Sequence, residues 1–204
     1  DPASSATPRA TNATGTAWGT PVVLDSAGNV GYQPSMSIVA GNPAVSYLDS
    51  TNWNLKFVRA TDASGTTWGT PVTVDSTGSV GEYSSLVVVN GNPAVSYLDH
   101  STFSLKYVRA TTTSGTSWGT PVMIDPVTTG STGTWVGSYT SLAVINGNPA
   151  ISYQHINNDD LLYVRATDAS GTSWGTPVTI DSTGIVGLHT SLLVVNGNPA
   201  ISYY

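Results

Sequence analysis

The chain has no cysteine, one glutamate (Glu82), two phenylalanines and six cations in 204 residues. Without cysteine there is no disulfide frame, no thiolate metal site and no cysteine nucleophile. The cations are Lys56, Lys106, Arg9, Arg59, Arg109 and Arg165, against a net charge of −6. A nucleic-acid surface needs clustered Lys and Arg to displace counterions, so nucleic-acid binding is excluded as an expectation. No apolar run approaches the ~20 residues of a membrane-spanning helix, and no helix-period segment of useful length stands out. The opening Asp1-Pro2-Ala3-Ser4-Ser5 reads as a processed or excised end.

What is present is repetition. Trp-Gly-Thr-Pro-Val starts at Trp18, Trp68, Trp118 and Trp174, with spacings of 50, 50 and 56 residues. Gly-Asn-Pro-Ala-(Val/Ile)-Ser-Tyr starts at Gly41, Gly91, Gly147 and Gly197. The six extra residues of the long spacing lie in Asp125–Tyr139. A repeat of about 50 residues with several short strands signals propeller blades or another radial array.

One unit reads as four strands: A over Ser85–Val89, B over Ala94–Leu98, C over Leu105–Ala110 and D from Trp118 to Asp125. Asn90-Gly91 between A and B is a tight-turn signal. The expected fold is all-β: a propeller of four four-stranded antiparallel blades in one domain, 1–204. Its units are 26–75, 76–125, 126–181, and 182–204 joined to 1–25. In that scheme the N-terminal strands C and D and the C-terminal strands A and B share one blade, which removes free sheet edges. An eight-bladed ring made by a homodimer is the alternative. Strand C of the shared blade, Ser5-Ala6-Thr7-Pro8, is the weakest strand.

The turn between C and D reads Thr61-Asp62-Ala63-Ser64-Gly65-Thr66-Thr67-Trp68 and again Thr167-Asp168-Ala169-Ser170-Gly171-Thr172-Ser173-Trp174. It resembles the Asp-box (BNR) turn of sialidase-like and other propellers, with one extra residue between Asp and Gly. Asn12 and Thr112 occupy the Asp position in the other two copies. The resemblance implies a propeller fold in which the Asp satisfies turn amides and the Trp packs between strands. It implies no catalysis.

Function is expected where repetition fails. The A–B and C–D turns are nearly invariant, whereas the B–C and D–A loops vary. The variable loops hold all three histidines, Glu82 and the non-repeated aromatics. Candidate ligand-binding residues are Trp53, Glu82, Tyr83, His100, Phe103, Trp135, Tyr139, His155, Asn157, Asp159 and His189. Aromatics beside Asn and Asp suit sugar stacking and hydroxyl recognition. The expected function is therefore a non-catalytic, lectin-like recognition module for glycan or polysaccharide on a secreted or cell-surface protein. A structural or adhesive spacer is one alternative, and a polysaccharide lyase or glycoside hydrolase is another.

As an enzyme, the chain would need two carboxyls about 5–10 Å apart, with Glu82 and Asp159 or Asp160 as the pair. No cofactor or metal is expected; Asp159 and Asp160 are weak metal candidates that lack calcium-loop spacing. An ion or water in a central channel ringed by Ser35, Ser85, Ser141 and Ser191 is a further option. Arg9, Arg59, Arg109 and Arg165 hold one equivalent position each, so pairing with repeated aspartates or backbone carbonyls is expected of them. Monomer and homodimer both remain open.

Overall fold

Each Gly-Asn-Pro segment turns the chain back on itself, and the conformation shows why. Asn90 and Gly91 have φ of 45° and 81°, and Ala40 and Gly41 have 44° and 81°. Two successive positive φ values define the primed turn that matches the twist of adjacent strands. The computed structural model describes residues 4–125 and 135–204. The extra residues of the third repeat fall largely in 126–134 and, with residues 1–3, lie outside the described residues.

The strands, in chain order, are β1 (Ser5–Thr7), β2 (Val22–Asp25), β3 (Val30–Val39), β4 (Asn42–Asp49), β5 (Asn54–Arg59), β6 (Val72–Asp75), β7 (Val80–Val89), β8 (Asn92–Asp99), β9 (Ser104–Arg109), β10 (Val122–Asp125), β11 (Val136–Ile145), β12 (Asn148–His155), β13 (Asp160–Arg165), β14 (Val178–Asp181), β15 (Ser191–Val195) and β16 (Asn198–Ser202). Among the described residues they form three four-stranded antiparallel sheets: β3–β6, β7–β10 and β11–β14. Two further pairs, β1–β2 and β15–β16, stand as separate two-stranded sheets. The order A, B, C, D is as the repeat implies. The fourth strand is shorter than expected. Trp118 makes only an isolated bridge to Ala110, and the ladder resumes at Val122. Pro121 lies between them, and a proline has no N–H for a ladder bond.

Adjacent sheets lock together at a few repeated places. Ser35, Ser85 and Ser141 supply one of these contacts. Each Oγ accepts the backbone N–H of the next sheet's first strand, from Leu86 (3.0 Å), Leu142 (3.0 Å) and Leu192 (2.9 Å). A glycine two residues into that strand lets the backbones close up. A Cβ on Gly81 would sit 2.9 Å from the Cα of Leu55, and one on Gly137 would sit 2.8 Å from that of Leu105. Tyr47, Tyr97 and Tyr153 are fully buried, and their hydroxyls donate to Asp25, Asp75 and Asp125 at 2.8, 2.6 and 2.7 Å.

In two of the C–D turns an aspartate caps the turn, as Asp62 shows. Asp62 accepts the amides of Ser64, Thr66 and Thr67, and Trp68 donates its indole N–H to the Gly65 carbonyl. The Thr67 hydroxyl and these amides hold the Asp62 carboxyl far below the usual carboxylate range. Trp118 and Trp174 then reach the preceding sheet, meeting Phe57 and Tyr107 edge-on at 5.2 Å. The arginines answer backbone carbonyls: Arg59 donates to Val39 and Ala40, Arg109 to Val89 and Asn90, and Arg165 to Ile145 and Asn146.

The shared blade expected from the sequence is not formed within the chain, and β1 and β16 lie in different sheets. The residues at that joint depart from the pattern. Pro34 stands where Ser84, Thr140 and Thr190 each bond a serine of the preceding sheet. Pro8 lies just beyond β1, where its counterparts Val58 and Val108 pair with strand B.

Candidate functional site

The variable face is built by two kinds of left-handed residue. Trp53, Phe103 and Asp159 close the B–C turns with φ of 55–56°, and their carbonyls accept the N–H of Val80, Val136 and Val186 in the next strand segment. Gln33, Tyr83 and Tyr139 sit at a register shift near the start of their A strands, and His189 lies just before β15; all four have φ between 47° and 54°. Such conformations are costly for side chains this large. Here they recur in every copy and aim the side chains out of the ladder, so the repeat itself sustains them.

Two neighbouring places result. The first is a mouth of about 310 Å³ lined by Gln33, Tyr83, Tyr139 and His189 with the residues that follow each of them. Its rings touch in sequence, Tyr83 to Tyr139 at 4.6 Å and Tyr139 to His189 at 4.4 Å. Gln33 accepts the Tyr83 amide through its side-chain oxygen. Burial, and then the neighbouring Tyr139, push the Tyr83 phenol up to about 12, so Tyr83 is a neutral hydroxyl at any working pH.

The second is a cavity of about 540 Å³ between the first and second sheets, lined by Asn29, Tyr32, Gln33, Leu48, Ser50, Trp53, Glu82 and Tyr83. Trp53 and Tyr32 are exposed on it. Glu82 is its one carboxylate, and Glu82 Oε1 lies 3.3 Å from His100 Nδ1. On the far side of Glu82, towards the next sheet, lies an aromatic cluster. Trp135 stacks on Phe103 at 4.8 Å and 22°, and His100 meets the Trp135 ring at 4.6 Å. Glu82 therefore stands between an open cavity on one side and an aromatic cluster on the other.

The sequence candidates separate accordingly. Trp53, Glu82 and Tyr83 share the open cavity. His100, Phe103 and Trp135 form the cluster behind it, and Tyr139 and His189 belong to the mouth. His155, Asn157 and Asp159 lie apart, on the third sheet. Asn157 holds the Trp135 amide at 2.6 Å, and His155 Nδ1 accepts the Asn158 amide at 3.3 Å. Tyr32 and Asn29 were not among the candidates. Tyr32 occupies the same repeat position as Glu82, and aligning that column was the signal available. Among the described residues no group of three or more His, Asp or Glu side chains is placed to hold a metal, and the three histidines do not converge.

The repeated aspartates are engaged within and between adjacent sheets. Lys56 reaches Asp25 at 2.9 Å and Asp49 at 3.4 Å; Lys106 reaches Asp99 at 2.6 Å and Asp75 at 3.7 Å. In the third sheet Leu162 replaces the lysine and His155 the second aspartate. There burial pushes the Asp125 carboxyl up, and the Tyr153 hydroxyl offsets this only in part.

No family model matches this chain, and no curated protein sequence does. Several solved structures share its fold. An alpha-L-arabinofuranosidase from Lactobacillus brevis superposes with a TM-score of 0.59 at 11% identity, over 90% of this chain and 70% of that one. A thermostable family-43 glycoside hydrolase gives 0.53 and 14%, over 92% and 72%. The NanB sialidase from Streptococcus pneumoniae gives 0.61 and 16%, over 93% and 30%. The chain thus spans between 30% and 72% of their lengths. At such identity the likeness establishes the all-β, propeller-like architecture. It also corrects the expectation of a non-catalytic, non-enzymatic module. These three solved structures are an arabinofuranosidase, a glycoside hydrolase and a sialidase, so a repetitive all-β fold is no ground for setting catalysis aside.

Proposed function

We propose that this chain is a glycan-processing domain of the glycoside hydrolase type, acting at the 540 Å³ cavity between the first two sheets. One observation carries the reading. The chain's single glutamate lines a sugar-sized cavity beside two exposed aromatics, Trp53 and Tyr32, with His100 at hydrogen-bond range of its carboxyl. Aromatic faces stack on the apolar side of a pyranose or furanose ring, while Asn29, Gln33 and Ser50 offer amide and hydroxyl partners to its oxygens. Arabinofuranosidase and galactanase activities among proteins of this fold support carbohydrate as the substrate class.

In this reading Glu82 gives a proton to the glycosidic oxygen as the bond to the anomeric carbon breaks. A water then adds to that carbon and yields its proton to the Glu82 carboxylate, which restores the acid. His100 orients Glu82 from the neighbouring aromatic cluster. Asp159 and Asp160 lie apart on the third sheet, so Glu82 is the carboxyl on which this reading rests. The Asp62 and Asp168 turns support a distant Asp-box relationship, and the propeller is completed when β1–β2 and β15–β16 join as one blade.

The test is release of reducing sugar from arabinan, galactan and aryl glycosides. Glu82→Gln is expected to lower the rate by about 10²-fold or more, and Trp53→Ala to raise KM. Failure of the parent chain to cleave any of these substrates, or full activity in Glu82→Gln, would overturn the reading.

A further inference from the structure

A second set of cavities lies at the C–D turns and shares no lining residue with the cavity of Glu82. One opens between the β1–β2 hairpin and the first sheet, one between the first and second sheets, and one between the second and third. Their volumes are about 180, 350 and 410 Å³ in that order. Equivalent positions line all three. Each has an arginine of strand C, two threonines, a valine of strand D and the Ser-Gly-Thr of the next C–D turn.

The three gaps differ in charge. Every one holds a guanidinium, and in the outer two the turn also brings a carboxylate. Asp62 accepts the Ser64 and Thr66 amides that line the hairpin gap, and Asp168 the Ser170 and Thr172 amides that line the far one. Both charges of the far gap act on Tyr107: burial pushes its phenol up, Arg109 lowers it and Asp168 raises it again. In the middle gap the turn is neutral. Thr112 stands in the Asp position, and its hydroxyl takes the Thr116 amide at 3.1 Å. Arg59 gives Nε and Nη2 to the Val39 and Ala40 carbonyls and enters no ion pair among the described residues. A guanidinium carries five N–H donors, so Arg59 keeps donors to spare as well as its charge.

The middle gap departs from the repeat at one more place. In the far gap the Tyr107 hydroxyl donates to the Ser170 carbonyl at 3.0 Å. Phe57 stands in the tyrosine's place and has no hydroxyl to give the matching Ser114 carbonyl. Each departure leaves a group for a ligand to meet: a cation without a carboxylate, and a carbonyl without a hydroxyl.

We infer that the middle gap binds an acidic sugar, a uronate unit of a polysaccharide. Its carboxylate accepts from the Arg59 guanidinium, and a ring hydroxyl donates to the Ser114 carbonyl. Thr61, Thr70 and Thr116 are exposed at the rim and offer hydroxyls to the remaining oxygens. Val72 and the Arg59 stem give the ring an apolar wall, and 350 Å³ suits a sugar ring better than a bare anion. In the outer gaps the turn carboxylate would face the ligand's own, and like charges brought together oppose binding.

The inference goes beyond the catalytic reading and stands apart from it, because the two cavities have separate walls. It is tested by titrating the isotopically labelled chain and following the Gly115 and Thr116 amides by NMR. Trigalacturonate is expected to shift both, with an affinity that falls as salt rises. Galactotriose and acetate are expected to leave them in place at the same concentration. Thr112→Asp restores the repeated turn and is expected to weaken trigalacturonate by about tenfold or more, with Tm unchanged or higher. Phe57→Tyr supplies the Ser114 carbonyl with a hydroxyl and is expected to weaken it by a smaller factor. Glu82→Gln is expected to bind as the parent does. Unmoved amides, equal shifts with galactotriose or acetate, undiminished binding in Thr112→Asp, or loss of binding in Glu82→Gln would each overturn the inference.

Discussion

The first and third sheets solve the same burial problem with opposite electrostatics. In the first, Lys56 bridges Asp25 and Asp49 beneath the B–C turn, and the second repeats this with Lys106. In the third, Leu162 and His155 take two of the three positions, while the Tyr153 hydroxyl still donates to Asp125. Burial alone would raise Asp25. The Ala27 amide, Lys56 and the Tyr47 hydroxyl outweigh it and hold the carboxyl below its usual range. Asp75 is lowered likewise, by Thr77 and Tyr97 together with Lys106. Asp125 moves up. Turn amides and hydroxyls, joined by a lysine, thus hold Asp25 and Asp75 towards the charged form, whereas burial moves Asp125 towards the neutral one.

The largest test of that contrast is Lys56→Met. Removing one partner of a mostly buried ion pair strands the other charges, at a cost of about 3 kcal/mol, so Tm should fall by roughly 6–12 °C in a thermal melt at neutral pH. Asp25 and Asp75 have folded pKa values below their unfolded ones. Their stabilisation is present above pH ~4 and is lost as pH falls further, so parent and variant should converge in acid. Asp125 has the reverse sign. Its folded pKa lies above the unfolded one, so it disfavours folding as pH rises through that range. Asp125→Asn is expected to raise Tm at pH 7 by roughly 2 °C and to leave it unchanged below pH ~4, which paired melts would read. The smallest effect is expected from Leu162→Lys, which restores a partner for Asp125 but faces His155 where Asp49 stands in the first sheet. A gain under about 1 kcal/mol in denaturant unfolding at pH 7, shrinking at low pH, would fit.

Much of the fold could be read because turn chemistry repeats. Asn-Gly, Gly-Asn-Pro and Gly-Thr-x-Trp-Gly each demand a local conformation, and each occurs where the structure turns. What could not be read was anything set by the angle between sheets. A serine at a strand start gives no sign that its hydroxyl reaches 51 residues ahead, so the shared blade looked closed from sequence and is not. The candidate site was half legible. Glu82 and Trp53 stood out because nothing repeats them. Tyr32 was passed over because tyrosine is common in this chain, and Leu162 because one leucine among strand residues looks ordinary. The stacking of Trp135 on Phe103 and His100 likewise depends on the position of a single indole that no spacing rule supplies.

The serine clamps have a last consequence, for how the chain reaches this state. They join residues 51, 57 and 51 positions apart, so the contacts that register one sheet on the next span about a single repeat. A chain wired in this way behaves as a one-dimensional array, in which each unit can order as soon as its successor has been synthesised. Protection from hydrogen exchange should then be highest in the second sheet, which is covered on both sides, and should fall towards each hairpin.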